Sequence, residues 1–193
     1  MKNQSGHTLL EILVVVAIML AVAAVGTPML KAYSEDAYLL GAGRQFRTAF
    51  RLARSVAARS NVQTAIRFEE EPDGLYFSVY ADANYNGVLA AEIDKGIDKR
   101  LDGPHRLDGG APTVRIGINP DTPAIPPEKG ILDPSDPIRF GNSNMLSFSP
   151  LGTATPGTFY VAGLQAQGAV RVTPGSARVR LMICRGGLWQ ERS

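Results

Sequence analysis

The chain has 193 residues, 45% of them hydrophobic and 20% charged, with a formal net charge of +2. These values fit one good-sized folded domain, and they exclude a wholly disordered chain or one whose charge alone argues for nucleic acid. A single cysteine, Cys184, forbids an internal disulfide, and with only two histidines beside it no four-ligand structural zinc site of the finger type can form.

The first element is an uncharged run from Ile12 to Leu30. As a helix rising about 1.5 Å per residue it spans roughly 28 Å, close to the hydrocarbon thickness of a bilayer. Glu11 borders this run, where an ionised carboxylate is costly and usually has a task. Lys2 and the Ala21-Val22-Ala23 stretch also suit a cleaved secretory signal, and a buried soluble helix is a third reading. Against cleavage inside the run, the chain passes directly into a second helical pattern, from about Met29 to Arg67. There Leu39, Ala42, Phe46, Ala49, Phe50, Ala53 and Ala57 recur at steps of three and four and form one apolar stripe. Arg44, Arg47, Arg51 and Arg54 step in the same way on roughly the opposite side. Pro28, between the halves, removes a backbone donor and predicts a bend or local loosening.

Beyond Arg67 the pattern shifts to short strands. Thr64–Phe68 alternates, Glu69–Gly74 is polar and turn-like, and Leu75–Tyr80 completes a hairpin. Residues 81–137 are rich in Asp, Gly and Pro, with one candidate strand at Thr113–Ile118. Further strands are expected at Met145–Phe148, Thr158–Val161, Ala169–Thr173 and Ala177–Ile183, the last two joined through Pro174-Gly175. The C-terminal tail has no periodic pattern.

Charge is distributed unevenly. Residues 31–67 hold seven basic and two acidic residues, net +5, residues 68–130 are net −6 (six against twelve), and residues 171–193 are net +4 (five against one). The basic helix face suits DNA phosphates, an anionic membrane surface or an acidic neighbouring subunit, though no aromatic residues interleave with it for base stacking. Asp82-Ala83-Asn84-Tyr85-Asn86-Gly87 matches the first half of a calcium loop, so Asp82, Asn84 and Asn86 are candidate Ca2+ ligands. The closing bidentate Glu is missing, because Ile93 stands at the twelfth position with Glu92 and Asp94 on either side. An Asx-rich turn is the alternative. No H-E-x-x-H, G-x-S-x-G or P-loop motif is present. His105, placed in a loop, has no nucleophile nearby in sequence, and Cys184 reads as a small core residue. No enzymatic activity and no other cofactor are expected.

The segment Ser5-Gly6-His7-Thr8-Leu9-Leu10-Glu11, running into the apolar stretch, resembles the class III leader of type IV pilins and pseudopilins. That resemblance implies cleavage after Gly6 by a prepilin peptidase and N-methylation of His7. It also implies assembly through Glu11, the fifth mature residue, with Pro28 as the kink-forming proline. His7 departs from the usual Phe or Met. Phe50–Ser60 resembles the conserved helix of the GspH/FimT minor pseudopilins. Phe148-Ser149-Pro150-Leu151-Gly152 with Gly157–Val161 resembles that family's late strand pair, and Arg171–Val179 its final hairpin, with Ser176-Ala177-Arg178-Val179-Arg180 in place of the usual Gly-Arg-Val-Arg type turn. The implied fold is α+β, a long N-terminal helix packed on a globular, antiparallel, β-sandwich-like head. Its expected organisation is a leader (residues 1–6), a transmembrane and filament-core helix (7–30), an amphipathic helix (31–67) and a periplasmic β-rich domain (68–193). The implied role is a structural subunit of a type II secretion pseudopilus in the bacterial inner membrane. Its implied partners are the prepilin peptidase, major and minor pseudopilins and the inner-membrane assembly platform. The alternative is a minor type IV pilin serving pilus biogenesis or DNA uptake, with DNA held on Arg44, Arg47, Arg51 and Arg54. A signal-anchored domain unrelated to filaments is the third option.

Overall fold

The computed structural model describes residues 9–107, 114–141, 143–174 and 177–192. The chain divides into two compact units, Met1–Ser34 and Glu35–Ser193. Helix α1 (Leu9–Ser60) contributes to both. Its backbone stays helical through Pro28, and it ends at Ser60, not at Arg67 as the periodicity suggested. Asn61, at φ 52°, takes the left-handed conformation that terminates helices, and β-branched Thr64 opens a strand.

In the second unit, strand β1 (Thr64–Glu71) pairs antiparallel with β2 (Gly74–Ala81), in register from Thr64↔Ala81 to Glu71↔Gly74. The three glutamates assigned to a turn are therefore strand residues, and only Pro72-Asp73 turns the chain. A five-residue helix α2 (Ala90–Asp94) precedes β3 (Lys99–Arg106), which lies along β2. His105 is thus a strand residue, not a loop residue. Strand β6 (Met145–Phe148) pairs with β1, giving a sheet of order β3-β2-β1-β6.

The larger sheet follows the order β10-β9-β8-β7-β4, from β10 (Leu188–Arg192), β9 (Val179–Arg185), β8 (Gln167–Val172), β7 (Gly157–Ala162) and β4 (Arg115–Ile116). Strand β5 (Ile138–Arg139) also pairs with β7. All these pairings are antiparallel, so the α+β architecture of an apolar N-terminal helix followed by antiparallel sheets is the observed one. Strand β10 lies where no pattern was expected. Its signal was Gly186-Gly187, at φ 58° and 79°, the positive dihedrals a two-residue hairpin turn requires.

The predicted helix stripe is the seam of the core: Leu39, Ala42, Phe46, Ala49, Phe50, Ala53 and Ala57 are all buried. Phe46 meets Phe159 of β7 edge-on at 4.8 Å, and Phe50 meets Phe148 of β6 at 4.8 Å, so one helix face seals both sheets. Gly43 allows the close approach: a β-carbon there would lie 2.5 Å from Leu181 of β9. Period-two alternation gives the larger sheet two covered faces. Phe159, Val170 and Leu181 face the α1 core, while Tyr160, Ala169 and Met182 join Ile118, Ile125 and Leu132 in a second cluster. The Pro- and Gly-rich stretch after β4 is therefore a cover for the sheet's other face. Trp189 fastens it by donating its indole N–H to the Pro123 carbonyl at 2.9 Å. Glu35 is buried and accepts backbone N–H bonds from Gln165 (2.8 Å) and Ala166 (3.2 Å), tying the start of this unit's helix to the β7–β8 turn.

Candidate assembly surfaces

In the first unit, Leu9–Thr27 is one helical window of 19 residues with mean hydropathy 2.8, and none of it is buried. Leu9, Leu10, Ile12, Leu13, Val14, Val15, Val16 and Ile18 are all exposed, so the helix shows apolar side chains around its circumference. Such a helix is stable only where lipid or other helices surround it. Among the described residues it is long and apolar enough to cross a membrane. Glu11 lies on its first turn. Gly6 and His7 lie outside the described residues, and of Pro28 only its place in α1 is described.

The second unit carries the arginines. Arg47, Arg51 and Arg54 of α1 face Arg178, Val179, Glu191 and Arg192 of the C-terminal strands across a groove of about 620 Å3. Arg44, expected with them, is exposed on the same helix but does not line the groove. Glu191 accepts two bonds from the Arg180 guanidinium at Oε2 (2.7 and 3.0 Å) and one from Arg178 at Oε1 (3.4 Å). The Arg180 hydrogen bond holds the Glu191 carboxyl below its usual range, with a smaller pull from Arg178. No carboxylate lies within ion-pair distance of Arg47, Arg51, Arg54 or Arg192 among the described residues. The net positive charge of residues 171–193 signalled the second wall of this groove, but only the β9–β10 hairpin brings it opposite α1.

A family model described as type II transport protein GspH matches residues 42–187, most of the chain. The chain belongs to the GspH family. A second model, the prokaryotic N-terminal methylation motif, matches residues 1–27 and so contains Gly6, His7 and Glu11. No curated protein and no solved structure matches the chain. In this GspH-family head the match begins inside α1 and stops before β10, so Glu191 and Arg192 of the groove lie beyond it.

The calcium-loop candidates of the GspH-family chain, Asp82, Asn84 and Asn86, lie in one hydrogen-bonded loop. Asp82 is buried, with Oδ1 accepting the N–H groups of Asn84 (3.0 Å) and Tyr85 (2.8 Å) and Oδ2 that of Gly87 (2.7 Å). The side-chain amides of Asn84 and Asn86 donate to Glu92 at 3.1 and 2.8 Å. The loop thus gathers Asp82, Asn84, Asn86 and Glu92, and its carboxylates are already engaged by N–H donors. Among the described residues no group of three His, Cys, Asp or Glu side chains is arranged to hold a metal ion. Asp82→Ala should destabilise the head by about 2–4 kcal/mol, because the buried Gly87 N–H and the part-buried N–H groups of Asn84 and Tyr85 lose their charge-assisted partner. A denaturation midpoint measured in EDTA tests this; an unchanged midpoint would show that the loop is held by other contacts. His105 pairs with Asp102 at 3.0 Å and its ring lies 5.5 Å from that of Phe77. Burial pushes the Cys184 thiol above its usual pKa, which suppresses the thiolate a nucleophile needs.

Proposed function

We propose that this chain is a non-enzymatic minor pseudopilin of a type II secretion pseudopilus. Prepilin peptidase cuts after Gly6, His7 is methylated, and the apolar helix anchors the subunit in the inner membrane with its head in the periplasm. Assembly then draws it, through the inner-membrane platform, into a filament with other major and minor pseudopilins. One combination supports this reading above all: a methylation motif running into a fully exposed apolar helix, on a chain whose head matches GspH. A secreted domain needs no such helix after processing, and a plain membrane anchor has no use for Glu11 at the border of its span.

The deciding measurement is the mass of the mature N-terminal peptide from membranes of cells that contain the peptidase. The expected species begins at methylated His7. An intact Met1, or a start near Ala24, would overturn the reading. The second reading, a minor type IV pilin for pilus biogenesis or DNA uptake, draws on the exposed arginines of α1. Under it, reversing Arg44, Arg47, Arg51 and Arg54 together abolishes DNA retention and leaves secretion intact.

A further inference from the structure

Four arginines with no ion-pair partner among the described residues converge from a helix and a β-hairpin on one groove, and together they give it a positive field that attracts anions. Three features define that anion. First, the groove already holds a carboxylate in its wall: Glu191 receives the fork of Arg180 and one bond from Arg178. Its guanidinium groups therefore present donors in the geometry that suits carboxylates. Second, Glu191 itself is negative, and a duplex carrying one charge per roughly 1.7 Å of axis would press phosphate against it. Discrete carboxylates on a polypeptide can be spaced to avoid Glu191. Third, the lining includes Phe50, which is buried in the core, and Val179, but no exposed aromatic ring on which a base could stack. At about 620 Å3 the groove has room for a few side chains.

We propose that the groove between α1 and the β9–β10 pair docks an acidic, extended polypeptide segment of a neighbouring filament subunit. The identity of the neighbour rests on the pseudopilin reading; the chemistry of the groove does not. Arg47, Arg51, Arg54 and Arg192 take the carboxylates, and Glu191 sets their spacing by repelling any that fall opposite it. Electrostatic complementarity of this kind fixes register and speeds encounter more than it adds affinity.

The test uses the full chain in dodecyl maltoside micelles and a fluorescein-labelled glutamate peptide as probe, read by anisotropy. Salt is set at roughly 0.15 M, where the Debye length of about 8 Å screens diffuse attraction. Arg47→Glu with Arg51→Glu should weaken binding by at least about tenfold, as truncating or reversing contact charges does. Arg44→Glu with Arg59→Glu changes the net charge equally on exposed positions outside the groove, and should cost less than about threefold. The neutral pair Arg47→Gln with Arg51→Gln should fall between, and keeps the test valid if the reversed pair fails to fold. Equal losses in the groove and control pairs would overturn the proposal, as would no binding at all. Tighter binding of a mixed-sequence DNA duplex that competes with the peptide would also overturn it and assign the groove to nucleic acid. The N-terminal mass of each variant separates the two readings. A methylated His7 with no peptide binding defeats the groove alone, and an unprocessed chain that binds the peptide defeats the filament reading alone.

Discussion

Phe46→Ala should lower the unfolding free energy of the head by about 3–5 kcal/mol, the range for removing a fully buried aromatic side chain. Phe46 has no exposed surface, and its ring contacts Phe159 at 4.8 Å, Phe68 at 6.0 Å and Phe50 at 6.4 Å. The two strand partners belong to different sheets, β7 to the larger and β1 to the smaller, so this one side chain bridges helix and both sheets. Truncation opens a cavity at the junction, and the rigid strand backbones on two sides prevent the site from collapsing to fill it. Against a total stability of about 5–15 kcal/mol for a domain of this size, such a loss raises the unfolded-to-folded ratio by a factor of roughly a hundred to a few thousand. Trp189, the only tryptophan, is half-buried over Tyr160 and reports unfolding in a urea titration of the detergent-solubilised chain. Leu151→Ala, at a side chain 93% exposed, serves as the neutral comparison. A Phe46→Ala midpoint indistinguishable from that control would show that the helix seam does not carry the head.

What the sequence made legible follows from which forces act locally. The helix stripe was readable because burial on one face imposes a period of 3.6, and its seven apolar residues are all buried in the structure. The strands β6 to β9 were readable within a residue or two because they run through the core as short, mostly buried apolar stretches between turn residues. Strand β3 escaped because Lys99–Arg106 holds Gly103, Pro104 and four charged residues; it exists only because β2 offers it an edge to pair with. Glu69–Glu71 looked like a turn by charge, yet their side chains at the far end of a hairpin stay in water while the backbone completes the ladder. The groove divides in the same way. Arg47, Arg51 and Arg54 were marked by helical spacing, whereas Arg178, Glu191 and Arg192 reach them through strand pairing across more than a hundred residues of sequence.

Glu11→Gln should leave membrane insertion and leader cleavage intact and reduce incorporation into the filament by at least tenfold, about 1.4 kcal/mol or more. Removing a charge from the edge of an apolar span makes insertion easier, so loss of assembly could not be blamed on failure to enter the membrane. Within hydrocarbon, apolar helices gain nothing from hiding apolar surface from one another, and association relies on close packing and on polar groups that find partners. The described part of the helix is rich in Val, Ile and Leu from Ile12 to Leu20 and offers one carboxylate on its first turn. If assembly works through pairing of that carboxylate with the positive N-terminus of a neighbour, the neutral amide keeps the shape and the hydrogen-bonding capacity but loses the charge–charge attraction that a low dielectric amplifies. Glu11→Asp, which keeps the charge on a shorter arm, should then recover part of the incorporation, whereas a side chain that served only to snorkel would be replaced by Gln and Asp equally well. Crosslinking of each variant to its filament neighbours, with the methylated N-terminus verified by mass, reads the difference. Normal crosslinking by the Gln variant would remove Glu11 from the assembly step and leave the apolar helix packing to account for it alone.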